Sequence, residues 1–453
     1  MLSLPKAAEP LVSPFSIAFT RPTFQRFICL CVGFIITRGR WTITQTLRTL
    51  HALATGHFSD FHRVLSRAPW SLWPLGKALA AMVLELLPAD GPVTCTVDDS
   101  TTQHRGKNVY AKARHRDNVR STSTHKVWLW GHRWVVLAIN VKFSFATRPW
   151  ALPVLVALYK SRDLNSAEGR QHRTPIAIAR ILMTRLLRWF PQRKFILLGD
   201  GGYASHDLAR FCHRHRRQLT LVSLLHPRAH LCQPPPPPAR GKRGRRRVRG
   251  DKLPHPQDVV ARAQQRKKTV KQKVDWYSGK RRRVEYVTGT GHWYKATEGL
   301  VPIRWVFVHD RDGKSQDRYF YSTDPGLTAE RIIALYTARW PIEVTFQECK
   351  QRLGLGSPRN RSAASVTRTV PCLLGLFSVV SVMYHRQLKG RPPRPRSEPW
   401  YTKAEPSFSD ALASVRRVLW EQTIFSQVTG HEALNQLKPK IRNMLLDELS
   451  IAA

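Results

Sequence analysis

Two short apolar runs, Val93-Thr-Cys-Thr-Val97 and Phe195-Ile-Leu-Leu198, read as buried strands, and each leads straight into acid. The first delivers Asp98 and Asp99, and the second delivers Asp200 within the segment GDGGYASHD. A fold that buries both runs must bring carboxylates to the ends of core strands, an arrangement suited to hard divalent cations. A third acid lies in the stretch YTARWPIEVTFQECK, residues 336–350. Tyr336, Arg339, Glu343 and Lys350 follow one another at intervals of 3, 4 and 7. On one continuous helix, at about 100° per residue, they point within roughly 60° of one another. Leu335, Ile342, Phe346, Cys349 and Leu353 fall on the adjoining stripe, the expected buried side. An ordinary amphipathic helix with a solvated ionic face would show the same pattern, so the acids at the strand ends carry the weight.

Together these segments resemble the bacterial insertion-sequence transposases of the DDE superfamily, in the branch marked by a Tyr-x2-Arg-x3-Glu-x6-Lys signature. All four signature positions are met, and the resemblance spans residues from about 20 to 385. It implies an α/β fold: an RNase H-like mixed-sheet core with a β-rich insertion domain, an N-terminal helical domain and a C-terminal helical tail. It also implies Mg²⁺ or Mn²⁺ as cofactor, with Asp98, Asp200 and Glu343 as catalytic metal ligands. Asp99 competes with Asp98, because each has a hydroxyl residue two places on, Ser100 and Thr101. Gly106, eight positions beyond Asp98 as in similar transposases, favours Asp98. By the same resemblance Tyr336, Arg339 and Lys350 contact transposon-end phosphates, Arg through its fork and Lys as a point charge. The chain departs from a smooth helix at Pro341, which removes a backbone donor inside the signature.

The 453 residues carry 74 Lys and Arg against 30 Asp and Glu, a formal net charge of +44. That excess calls for a polyanionic partner, with double-stranded DNA, as transposon ends and target, the first candidate. The resemblance adds a homodimer or higher multimer assembled on the DNA. Seven scattered cysteines without a CxxC pair favour reduced thiols. Residues 1–14 lack the pattern of a signal peptide, and the apolar runs 27–36 and 370–384 are shorter than the roughly 18 residues of a membrane span. The chain is therefore expected in the cytoplasm, associated with the nucleoid, with no membrane partner.

In order, residues 1–88 read as a helical, DNA-binding domain, in which Thr42 is an N-cap and a helix-turn-helix or a plain bundle are both open. Residues 89–225 form the first part of the catalytic core, with a hairpin expected about Gly131-His132-Arg133 between strands 126–130 and 134–143. Residues 226–326 form the insertion domain, interrupted by a disordered basic loop at 233–250. In that loop Arg243, Arg245, Arg246 and Arg247 are expected to bind phosphates without reading bases. Residues 327–390 complete the core, with Thr328 as N-cap, and 391–453 form a linker and helical tail. Trp276, Trp293 and Trp305 of the insertion are core candidates that could instead stack on an unpaired base. Cys212, His213, His215, His226, His230 and Cys232 form a rival zinc cluster only if the chain folds them together.

The chain is thus expected to be a DNA transposase that cuts transposon ends and joins 3′-OH ends to target DNA by two-metal phosphoryl transfer. A catalytically inactive DNA-binding descendant, and a metal-dependent nuclease that only hydrolyses DNA, are the alternatives.

Overall fold

The computed structural model describes residues 4–5, 8–117, 120–122, 124–237, 247–277, 281–313, 316–393, 395, 400–425 and 436–451. Among the described residues five α-helices come first: α1 (Glu9–Val12), α2 (Arg21–Ile36), α3 (Ile43–Leu50), α4 (Phe58–Ser66) and α5 (Leu72–Leu84). Strands β1 (Pro92–Gln103), β2 (Ala113–Arg116), β3 (Trp128–Val141) and β4 (Trp150–Tyr159) follow. Helices α6 (Arg162–Ala167) and α7 (Pro175–Trp189) lead to β5 (Lys194–Gly199), α8 (His206–Arg214), β6 (Leu219–Leu224) and β7 (Leu231–Cys232). Then come α9 (Pro256–Gln265), β8 (Val270–Asp275), β9 (Arg281–Lys295), β10 (Gly299–Asp310) and β11 (Arg318–Ser322). The chain closes with α10 (Ala329–Thr337), α11 (Pro341–Arg352), α12 (Ala363–Leu388), α13 (Phe408–Leu419) and α14 (Pro439–Ser450). The fold is α/β, with mixed strand pairing and helical cover, as expected of an RNase H-like core.

The chain divides into two compact units. One comprises Met1–Leu87, Asp99–Ile178 and Glu343–Ala453; the other comprises Pro88–Asp98 and Ala179–Ile342. In the second unit β1 pairs with β5 and β5 with β6, all parallel. The apolar runs of β5 and β6 suit strands buried on both faces. From β6 the pairing turns antiparallel, through β11 and β10 to β9. The strands of residues 226–326 thus pair onward from β6 and belong to the same unit as β5 and β6. Helix α10, capped by Thr328 whose Oγ1 accepts from the Arg331 N–H at 3.2 Å, buries Ile332, Ile333, Leu335 and Tyr336 in a cluster with Ile196, Leu198 and Val222.

In the first unit β3 pairs antiparallel with β2 and with β4. The hairpin expected at 131–133 does not form, because β3 runs unbroken through Gly131. A Cβ there would lie 1.9 Å from the Thr102 carbonyl oxygen, so this glycine serves close backbone approach within the sheet rather than a turn. Strand β1 is also longer than expected: Ser100 and Thr102 are buried on alternate positions and extend it to Gln103. Thr42 caps α3, accepting from the Gln45 N–H at 3.2 Å.

Helix α12 spans 26 residues and contains an 18-residue stretch with a mean hydropathy of 1.7, long and apolar enough to cross a membrane, so the expected length limit fails. Its burial assigns it to the core instead, with 72% of that apolar stretch inside the protein. Ser378 donates to the Pro153 carbonyl of β4 at 2.7 Å.

Arg416 on α13 staples the same unit. It is 1% exposed, and donates from Nε to the Ile35 carbonyl at 2.6 Å, from Nη1 to Ile451 at 2.8 Å and from Nη2 to Thr37 at 3.2 Å. Burial, reinforced by Arg38 and Arg352, pushes its pKa down to about 10. Replacing Arg416 by Ala orphans three carbonyls and should lower unfolding free energy by about 3 kcal/mol or more, and Lys, lacking the planar fork, should restore less than half. Urea unfolding measures this, and a loss below about 1 kcal/mol would show that the staple is dispensable.

Candidate active site

The register of β1 against β5 decides where the first two acids lie. Val97 is paired with Gly199, so Asp98 and Asp200 are the next residues on adjacent parallel strands, which run about 4.8 Å apart. Asp200 leaves the end of β5, as the sequence implies, whereas Asp98 sits within β1, which continues beyond it. Asp200 Oδ1 accepts from the Gly202 N–H at 2.9 Å and so caps the single 3-10 turn Gly201–Tyr203. Ser223 Oγ donates to the carbonyls of Gly199 and Asp200 at 3.0 and 3.1 Å. Tyr203, 1% exposed, packs so close that a Cβ on Gly199 would meet its Cβ at 2.8 Å. The GDGGY segment therefore fixes one carboxylate by backbone and packing together.

Successive strand residues point to opposite faces, and this separates Asp98 from Asp99. Asp99 is held bidentately by Arg133, from Nε at 2.6 Å and from Nη2 at 2.9 Å. Asp98 Oδ2 accepts from Arg339 Nη1 at 3.1 Å. Both members of the Asp98–Arg339 pair are nearly buried, with side chains 13% and 10% exposed.

The signature stretch is not one helix. α10 ends at Thr337, residues 338–340 form a turn, and α11 starts at Pro341. Proline lacks the N–H that a continuing helix needs and is preorganised for the first helical position. The expected single face therefore splits: Tyr336 is on α10, Arg339 in the turn, and Glu343 and Lys350 on α11. The apolar stripe survives the break, and Leu335, Ile342, Phe346, Cys349 and Leu353 are all buried.

Tyr336 is 1% exposed and stacks on Phe320, with ring centroids 4.3 Å apart, so its ring belongs to the core. Burial pushes its hydroxyl pKa up; Arg339 opposes that shift, while Tyr277 and Asp200 add to it. Arg339 is likewise buried against Asp98 rather than presented to solvent. Glu343 is half-buried in the first turn of α11, where the helix dipole favours an anion, and Lys350 is exposed in the last turn.

The donor set of Asp98 and Asp200 fits Mg²⁺ or Mn²⁺, hard cations that proteins hold through one or two carboxylates plus substrate phosphates. Among the described residues no three His, Cys, Asp or Glu side chains gather to hold a metal by themselves. The zinc reading of residues 212–232 therefore falls, and the Cys212 thiol is buried, which raises its pKa. Trp276 and Trp305 are core, and Trp293 is half-buried against His206 and Tyr321. Arg243, Arg245 and Arg246 lie outside the described residues, as does half of the expected loop; Arg247 is exposed, 3.7 Å from Asp251.

Residues 14–283 match the family described as "DDE superfamily endonuclease", and residues 292–385 match "Archaeal putative transposase ISC1217". A solved piggyBac transposase synaptic complex with hairpin DNA aligns with a TM-score of 0.41 and 11% identity, covering 98% of this chain and 81% of that one. No curated protein gives a significant match. The first match takes in β1, β5 and both of their acids, and on its extent the chain belongs to the DDE superfamily endonucleases, as a DNA-cutting enzyme of the DDE transposase type.

Proposed function

We propose that the protein cuts DNA at the ends of a mobile element and joins the freed 3′ hydroxyls to target DNA. The observation that carries this reading is the register Val97 to Gly199, which sets Asp98 and Asp200 side by side on parallel strands. Asp98 and Asp200 would hold a divalent metal, which when bound neutralises phosphate charge and activates the attacking oxygen. Glu343 is the third acid by its place in the signature. Asp99 has a structural role, because both of its oxygens receive Arg133.

The neighbouring groups act on position and charge. Arg339 holds Asp98 in place through a charge-assisted hydrogen bond. The Gly202 N–H positions the Asp200 side chain and the Ser223 hydroxyl its backbone carbonyl. Tyr336 supports the site from the core beneath, through its packing on Phe320. Lys350 lies seven residues after Glu343 on α11, about 20° away around the helix, and its ammonium grips a phosphate of the strand to be cut.

Asp200→Ala should reduce cleavage of transposon-end DNA to background while DNA affinity stays within about threefold, since binding rests on the chain's excess of cations. Parallel loss of cleavage and binding in a folded variant would remove Asp200 from the chemistry. Lys350→Ala should slow single-turnover cleavage of pre-bound DNA on the order of 10-fold, with an unchanged dependence on Mg²⁺. Full rescue by added Mg²⁺ would place Lys350 at the metal instead. Strand-transfer products, resolved from hydrolysed ends on the same gels, separate a transposase from a nuclease that only hydrolyses.

A further inference from the structure

The first unit carries an aromatic surface that the carboxylate site does not use. Trp128 and Trp130 are 47% and 56% exposed, although large aromatic side chains are ordinarily among the more buried. They stand two residues apart on β3, hence on one face and roughly 6.6 Å apart along the strand. The neighbouring strand β2, at the edge of its sheet, sets Arg116 opposite Trp128 and Arg114 opposite Trp130. Cations reach diagonally across this pair. The Arg114 guanidinium lies 4.8 Å from the centre of the Trp128 ring, and the Lys112 ammonium 5.8 Å from that of Trp130. Residues 112–126 contain five Lys and Arg and a single acid, Asp117, which sits 3.7 Å from Arg120.

We propose that this face binds an unpaired DNA strand, with Trp128 and Trp130 each stacking on a base and Lys112, Arg114 and Arg116 tracking the phosphates. The composition selects that occupant. Flat indole rings recognise the faces of bases, which a duplex keeps stacked inside itself and only an unpaired strand offers. The surrounding positive charge matches a phosphate backbone and disfavours a cationic or neutral apolar partner. A cation already resting on part of each ring adds to stacking rather than blocking it, because the rest of the ring is open. The proposal deepens the reading of the chain as a DNA-cutting enzyme, since breaking and joining strands at duplex ends exposes unpaired nucleotides.

The test uses the full-length protein and fluorescein-labelled 12-nucleotide oligothymidine, with a fully paired duplex of equal length as control, by anisotropy at one fixed salt concentration. The double variant Trp128→Ala, Trp130→Ala should lose about 30-fold or more in oligothymidine affinity, from about 1 kcal/mol or more per stacked base. Its duplex affinity should stay within about twofold, and Trp128→Phe, Trp130→Phe should stay near wild type, because a phenyl ring still stacks. Unchanged oligothymidine binding by the alanine variant, or equal loss for both DNAs, overturns the proposal. If the alanine variant does not fold, photocrosslinking of wild-type protein to a bromouracil oligonucleotide decides. Adducts on the peptide bearing Trp128 and Trp130 support the proposal, and adducts only elsewhere refute it. Cleavage of fully paired transposon ends reports on the carboxylate site independently, so the two readings fail separately.

Discussion

The parallel pairing of β1 with β5 is the constraint on which the candidate chemistry depends. Both strands are apolar where they pair, with Val93, Cys95 and Val97 buried on one and Phe195, Leu197 and Leu198 on the other. Both strands lie in the core, and their pairing sets Val97 opposite Gly199. With the register fixed, the residues after Val97 and Gly199 are acids, and two like charges are forced into proximity. That is unfavourable in a protein with nothing to bind, and useful in one whose substrate arrives with cations.

The protein manages those charges locally. Asp98 is balanced by Arg339, Asp99 by Arg133, and Asp200 by a backbone N–H. A nearly buried ion pair such as Asp98–Arg339 adds little net stability, because desolvation offsets attraction; its value lies in holding one geometry. The positive excess over the rest of the chain serves a different end. It draws DNA of any sequence toward the protein, while position and specificity are left to particular side chains.

Much of this was legible in the sequence, for physical reasons. Apolar runs ending in acid predict strand-borne carboxylates because few other structures bury the one and display the other. The stripe from Leu335 to Leu353 kept its spacing even across a break. The break itself was signalled by Pro341, but its size was not, since proline at a first helical position and proline in a kink look alike in sequence. The core position of Tyr336 is not legible in the sequence, because a phenol on an amphipathic helix suits core and surface equally. Gly131 read as a turn because glycine marks both turns and close strand approach, and only the Thr102 carbonyl beside it distinguishes them. The exposure of Trp128 and Trp130 is likewise not legible in the sequence, since an alternating Trp-Leu-Trp run leaves the solvent-facing side of the strand undecided.

The ends of the β1–β5 pair are proposed to hold the metal that the enzyme uses. The most direct measurement loads the protein with Fe²⁺ in place of Mg²⁺, adds ascorbate and peroxide, and maps where the polypeptide is cut by the radicals released at the bound ion. Two principal cuts are expected, one near Asp98 and one near Asp200, both suppressed by excess Mg²⁺ and lost in Asp98→Asn. Cuts confined to other segments, or cuts at these two that Mg²⁺ does not suppress, would contradict it.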